Sequence, residues 1–441
     1  MKVLLIAHQF LPDCIAGTEV LVSDVARELQ SRGHEVKVFA GIEGAPGEVI
    51  SRYDFQGYEV QRVNINLAQT SLEDRLSAAR NPHVEYEFRK VIDDWKPDIT
   101  HFFHFHRLTV RLISIAAAAS PVFFTATDFW SICPFGTLRL PDGTPCDGPS
   151  LGSTNCVRHH AMLLRPKWAK LCASWTPDFL IAAALRYARH FPIRSVRAAL
   201  ALQRRHSTIG SAFGDVRRFF FASDAIGAML SGIGVDQSRL TMQPYGIDVD
   251  AYDDVPPIGN SEHLRVGFIG QLVQHKGVDV LLRAMRQVAS PNLRLKIYGN
   301  LDGAGEFGRQ LLELRGDDPR TSFEGSFPPS KIRSVLAGLD CLVVPSTWQE
   351  NMPLVACSAL AARRPIIASD VSGLRSIVRP SRSGFLFPPG DAAALSRIME
   401  NLSNDRESLG QLPMDIKDLR TLPDYVDELL LHYQTESSLC A

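Results

Sequence analysis

Two stretches of this chain carry residue types suited to chemistry. In residues 266–277, read as VGFIGQLVQHKG, an apolar run ends in a glycine turn and a lysine. In Trp348-Gln349-Glu350-Asn351-Met352-Pro353-Leu354-Val355, a carboxylate follows a second apolar run. Each stretch follows a buried-strand pattern and opens a helix. A lysine at a helix start, beside a glycine that admits close backbone approach, is a site for phosphate. Gln271 adds a donor there, and Gly270 supplies the turn. A carboxylate near a helix start accepts two sugar hydroxyls, and Pro353 suits a first helical position. Phosphate and polyol held side by side point to a nucleotide sugar.

A third such loop is Ala16-Gly17-Thr18-Glu19, between the first strand and the first helix. Open N–H groups at that helix start suit a phosphate or a substrate hydroxyl. A plain turn, capped by Thr18 with Glu19 adding charge in the first turn, is the simpler alternative. Gly303-Ala304-Gly305-Glu306-Phe307-Gly308 matches a dinucleotide fingerprint, but it follows the second strand of its half rather than the first. Cys133, Cys146 and Cys156 with His159-His160 are zinc-ligand types, yet no CxxC pair is present. Buried thiols in a loop-rich segment account for them more simply. His101, His104 and His106 end a strand without sharing one face, and one of them is expected at the ligand edge.

The elements that position these residues alternate. Strands are expected at 2–7, 35–39, 60–64, 99–103, 122–125 and 219–222. A second series is expected at 265–269, 293–298, 321–324, 341–344 and 366–369. Helices are expected at 19–32, 278–289, 330–339 and 353–362, with a last one at 425–433. Strand–helix alternation means parallel sheets covered on both faces, with ligands at the carboxyl ends of strands. At 441 residues, two such domains are expected. The boundary is placed in the turn-rich run Val255-Pro256-Pro257-Ile258-Gly259-Asn260. This gives domains 1–258 and 259–420, and a C-terminal helix in 421–441 packing back on the first.

A net charge of −1 excludes a global pull toward nucleic acid. Eight scattered cysteines are not a disulfide framework. No apolar run is long enough to span a membrane, and the first strand lacks a signal-peptide cleavage pattern, so a cytoplasmic protein is expected. Residues 158–205 break the alternation with ten Lys/Arg against the single acid Asp178, together with Trp168, Trp175 and Phe179. Basic and apolar residues on helical segments fit an anionic lipid surface, and also a hairpin packed on the domain.

FLPDCIAGTEVLVSDVARELQSRGHEVKVFA, TDFWSICPFGTLRLPDGTPCDGP, VGFIGQLVQHKGVDVLL, TWQENMPLV, RRPIIASDVSGL and SGFLFPPGD together resemble the family 4 retaining glycosyltransferases. The resemblance runs from Met1 to about Phe387 and implies the α/β GT-B fold: two doubly wound Rossmann-like domains facing a central cleft. It implies an N-terminal acceptor domain, a C-terminal nucleotide-sugar donor domain, no cofactor, and no metal for transfer. By resemblance, Lys276 and Glu350 are the catalytic pair. Gly17, Gly270, Gln271, Asn351, Met352, Pro353, Leu354, Val355 and Ser358 join them around the donor. Thr18, Glu19, His104, Thr127 and Asp128 lie on the acceptor side. Many members have Arg at 271, Glu at 358 and His at 127. Arg363 or Arg364 replaces a common glycine and would restore the missing charge if it points into the cleft. The expected activity is transfer of a sugar from a nucleoside diphosphate to a glycan or lipid-linked acceptor, with an anionic membrane surface as a further partner and no nucleic acid. A catalytically impaired sugar-nucleotide-binding or scaffold protein is the alternative.

Overall fold

A computed structural model of the chain describes all residues except 44–49, 66–70, 141–142, 164–174, 189, 191–192, 260, 413, 415–418 and 439–441. The chain forms two compact units. The first takes in Met1–Gln243 and Val426–Ala441, and the second takes in Pro244–Tyr425.

In the first unit β1 (Lys2–Ala7) is an unbroken apolar run buried from Val3 to Ala7, as a central parallel strand must be. The helix Gly17–Ser31 follows it and buries Leu21, Val22, Val25, Ala26 and Leu29 on one face. Gly33, at φ +79°, ends the helix, and the His34 N–H reaches back to the Leu29 carbonyl. Then come β2 (Glu35–Glu43), β3 (Ile50–Phe55), β4 (Tyr58–Ile65), β5 (Ile99–Phe102), β6 (Val122–Ala126), β7 (Arg218–Phe221) and β8 (Leu240–Met242). Their order among the described residues is β3-β4-β2-β1-β5-β6-β7-β8. All neighbours run parallel except the hairpin β3–β4, which turns at Gln56-Gly57 with both residues at positive φ. The chain leaves β1 on one side and returns as β5 on the other, so the topological switch lies between their carboxyl ends.

The second unit repeats this logic. It holds β9 (Leu264–Ile269), β10 (Leu293–Tyr298), β11 (Thr321–Gly325), β12 (Cys341–Val344), β13 (Ile366–Ser369) and β14 (Gly384–Phe387). Their order is β11-β10-β9-β12-β13-β14, all parallel, with the switch between β9 and β12. Three strands escape the sequence pattern. These are β3, a polar edge, and β8 and β14, of three and four residues.

Residues 244–258 belong to the second unit. Tyr245 is buried, and Ile247, Tyr252 and Val255 belong to its core, so the unit begins before the turn-rich run where a boundary was expected. The last helix, Leu422–Ser438, enters the first unit at Val426. There the Tyr433 hydroxyl bonds His101 Nδ1 and its ring packs on Phe123.

Candidate functional site

The switch of the second sheet brings Lys276 and Glu350 together. Lys276 sits in the loop after β9, and Glu350 in the loop after β12. Lys276 Nζ donates to Glu350 Oε1 at 2.8 Å. The approach depends on Gly277, which adopts φ +71°; a Cβ there would lie 1.9 Å from the Pro345 carbonyl oxygen. Only glycine lets the two loops lie this close. Glu350 is 4% exposed and also accepts from Ser346 Oγ. Burial opposes its ionisation, but Lys276 and the hydrogen bonds from Lys276, Ser346 and Trp348 hold its carboxyl below the usual range. Lys276 also lies over the Trp348 ring, 5.1 Å from its centroid, and His275 packs on the same indole. The arrangement is a half-buried cation beside a buried, charged carboxylate.

The backbone around this pair is closely fitted. A Cβ on Gly373 would fall 1.9 Å from the Asn351 carbonyl oxygen and 2.3 Å from that of Glu350. The Gln349 side chain accepts from the Ser372 N–H at 3.1 Å. The helix Leu354–Ala361 starts after Pro353 with no side chain capping it. Met352 to Val355 are half-buried, and Ser358 is buried in the body of this helix. Gly270 is half-buried and Gln271 exposed. Arg364 does not restore the missing charge. It is fully buried, and its guanidinium donates to the carbonyls of Leu336, Ala362 and Pro256. Arg363 is exposed at φ +52°.

In the first unit, the carboxyl ends of β1, β5 and β6 gather a second cluster. His104 Nε2 faces both Asp128 oxygens at 3.2 and 3.1 Å, and His104 Nδ1 accepts the His106 N–H at 3.0 Å. An acceptor role at Nδ1 places the His104 proton on Nε2. The Trp130 N–H also donates to Asp128, at 2.8 Å. Burial raises the Asp128 value, but its neighbour His104 and the hydrogen bonds from His104 and the Trp130 backbone N–H bring it below the usual range. His8, just after β1, lies with its ring 4.2 Å from that of His104 and 5.9 Å from that of His106. Its Nδ1 is 3.6 Å from Glu19 Oε1. Burial keeps His8 well below its ordinary value and lowers His106 to about 3.

Glu19 is fully buried, and burial raises its carboxyl to about 7. An acid adding charge to the first turn is therefore not what forms. Neither is a Thr18 cap, since the N-cap is Ala16 and no side chain caps the helix. Gly17 is exposed, and nothing lies within 4 Å of where its Cβ would stand. Thr127 Oγ1 donates to the Phe103 carbonyl. His101 is buried apart from the cluster, between Tyr433 and Thr125. Of the three histidines expected near this edge, His104 and His106 are in the cluster; His8 and Trp130 were not singled out from the sequence. Their signal was position, in the loops after β1 and β6.

Cys133, Cys146, Cys156 and His159 line one cavity of about 10 Å³, room for about one water. Among the described residues no three His, Cys, Asp or Glu side chains are placed to hold a metal ion. Burial pushes the Cys156 thiol up to about 12. Around the basic segment, Val157, Leu185, Ala199 and Leu202 form a small core under the helices Thr154–Leu163, Asp178–Ala188 and Arg194–Phe213. Trp175, Phe179 and Tyr187 are exposed, and Trp168 lies outside the described residues. Arg205 is not a surface charge: it is buried over the Trp130 ring and donates to the Trp130 and Leu76 carbonyls. No described helix is long and apolar enough to cross a membrane.

Two family models match the chain in sequence. Residues 15–141 match Glycosyltransferase Family 4, and residues 263–405 match Glycosyl transferases group 1. A D-inositol 3-phosphate glycosyltransferase of Nocardia farcinica is 29% identical over 204 residues, 40% of this chain. The chain spans only 45% of that relative's length. A 2-deoxystreptamine N-acetyl-D-glucosaminyltransferase of Streptomyces fradiae is 25% identical across 96% of this chain and 91% of its own. Among solved structures, sucrose-phosphate synthase of Thermosynechococcus elongatus superimposes with a TM-score of 0.70 at 16% identity, covering 99% of both chains. HepE of Anabaena, solved with UDP and glucose, gives 0.64 at 15% identity, covering 99% of this chain and 100% of its own. The fold of these structures is the fold of this chain.

Proposed function

Because the chain belongs to the family 4 glycosyltransferases of GT-B fold, we propose that it is a retaining transferase acting on a nucleoside-diphosphate sugar. The observation that carries this reading is the Lys276–Glu350 pair at the switch point of the second sheet. Lys276 and the uncapped start of the helix Leu354–Ala361 meet the charge that develops on the departing diphosphate. Glu350, held ionised, accepts hydrogen bonds from the sugar. Relatives in structure that are named with UDP and UDP-glucose support a nucleotide-sugar donor. No metal enters this scheme, since the cation and the helix start supply the positive charge.

The acceptor, a glycan or a lipid-linked saccharide, is read as the ligand of the first unit. Its hydroxyl attacks from the face the diphosphate leaves, and a departing phosphate oxygen takes the proton. The engaged nitrogens of His104 support this assignment, since one carries its proton toward Asp128 and the other already accepts. The exposed Trp175, Phe179 and Tyr187 beside a basic segment support a peripheral seat on anionic lipid.

The test is a thermal-shift panel with UDP, GDP, ADP and CDP, followed by release of the diphosphate from its sugar conjugates with membrane extract as acceptor. A diphosphate at a hundred times its dissociation constant adds about 2.7 kcal/mol. If none of the four stabilises the chain, the reading is wrong. The uncharged Gln271, the Ser358 hydroxyl and the internal engagement of Arg364 favour a second reading, a binding protein that has lost catalysis. It predicts stabilisation without turnover, and turnover gained on Ser358→Glu.

A further inference from the structure

Tyr245 stands where the chain enters the second unit, and it is 4% exposed. Its hydroxyl accepts from Asn351 Nδ2 at 2.6 Å, and its backbone N–H donates to Met352 Sδ at 3.1 Å. These contacts grip the two residues that follow Glu350. The Tyr245 ring meets Tyr425 edge-on, with centroids 6.3 Å apart.

Tyr245 is itself held by its neighbours. The Ile247 N–H donates to the Arg420 carbonyl at 3.0 Å, and the Leu422 N–H donates to the Ile247 carbonyl at 2.8 Å. Just before Ile247 lies Gly246. A Cβ there would fall 2.4 Å from the Thr421 carbonyl oxygen, 2.5 Å from Tyr425 Cβ and 2.8 Å from Leu422 Cα. The entering and leaving segments of the second unit thus form a clip that admits no side chain. Gly373 closes on the Glu350 and Asn351 carbonyls from another side. The turn carrying Glu350 is fixed between Gly373 and the clip.

We infer that Tyr245 is a positioning residue for sugar recognition: through Asn351 it sets the turn from which Glu350 addresses the donor sugar. This rests on the transferase reading above. Lys276 reaches Glu350 from the β9 loop, and its place does not depend on Tyr245. Loss of the Tyr245–Asn351 bond therefore disturbs the sugar end of the donor and spares the diphosphate end.

The experiment compares Tyr245→Phe, Asn351→Ala and the double variant with the unaltered chain. Binding of UDP, GDP, ADP and CDP is measured first, then kcat and KM with the sugar conjugate of the diphosphate that binds. Each single variant is expected to lower kcat/KM roughly 10-fold, the loss expected when one buried hydrogen bond is broken. Diphosphate affinity is expected to stay within about twofold, and the double variant to be no worse than either single one. Multiplying losses in the double variant overturn the inference. So does an equal loss of diphosphate binding, or a Tyr245→Phe chain that does not fold, because Tyr245 would then serve the unit as a whole. If the unaltered chain binds no diphosphate, the transferase reading has failed at the first step, and this inference falls with it.

Discussion

Replacing Lys276 by Met tests the central pair by stability as well as by activity. Glu350 is 4% exposed and keeps its charge because Lys276 lies 2.8 Å away. Removing one partner of a buried pair costs about 3–5 kcal/mol. The Lys276 side chain is 24% exposed, so water relieves part of this, and about 2–3 kcal/mol is expected at pH 7. The pH dependence gives the sign. In the unaltered chain the Glu350 value is depressed, so its stabilisation is present above the unfolded carboxyl value and is lost as pH falls through the folded one. In Lys276→Met burial dominates, the value rises above the unfolded one, and the variant recovers as pH falls and the carboxyl takes up a proton. The gap between the two proteins is therefore widest at pH 7 and narrows toward pH 4. Urea denaturation followed by tryptophan fluorescence at several pH values measures it. Adding Glu350→Gln to Lys276→Met is expected to return part of the lost stability, while kcat stays down by about 10²–10³. A gap constant with pH, or a double variant no more stable than Lys276→Met at pH 7, refutes the reasoning.

Gly277→Ala sets a Cβ 1.9 Å from the Pro345 carbonyl oxygen at φ +71°, so a loss of about 2 kcal/mol or more is expected, with no thermal shift from any nucleoside diphosphate. Glu19 is raised to about 7 from 4.5, so it favours the fold below pH 4.5 and loses that contribution as pH rises to 7. Glu19→Gln is therefore expected to gain on the unaltered chain across that window, by a few kcal/mol (about 3 from the shift), in thermal unfolding at pH 4.5 to 8; a gain that does not grow with pH counts against it. Trp175→Ser with Phe179→Ser, both highly exposed, is expected to reduce pelleting with phosphatidylserine vesicles at low salt while leaving the melting temperature within about 2 °C. Equal pelleting, or none by the unaltered chain, removes the membrane reading.

The sequence by itself determined the elements and the donors they carry. Unbroken apolar runs such as 2–7 and 341–344, separated by helical periodicity and glycine stops, define buried parallel strands through local spacing alone. The same spacing put Lys276 and Glu350 each just beyond the end of a strand, where doubly wound sheets take ligands. The strand β3 was illegible because a polar edge has no buried face to pattern it, and β8 because three residues with none fully buried carry no period of their own. What the tertiary structure decided was which loops meet and which charges are buried. Strand order placed the ends of β9 and β12 side by side, and so made one ion pair of residues 74 apart in sequence. Burial raised the Glu19 carboxyl, which the sequence suggested would only add charge in the first turn, and took Arg205 and Arg364 out of the charge available to a ligand. The Tyr245–Asn351 bond spans 106 residues. Such contacts follow from long-range pairing and close packing, and a residue's type and local neighbours do not encode them.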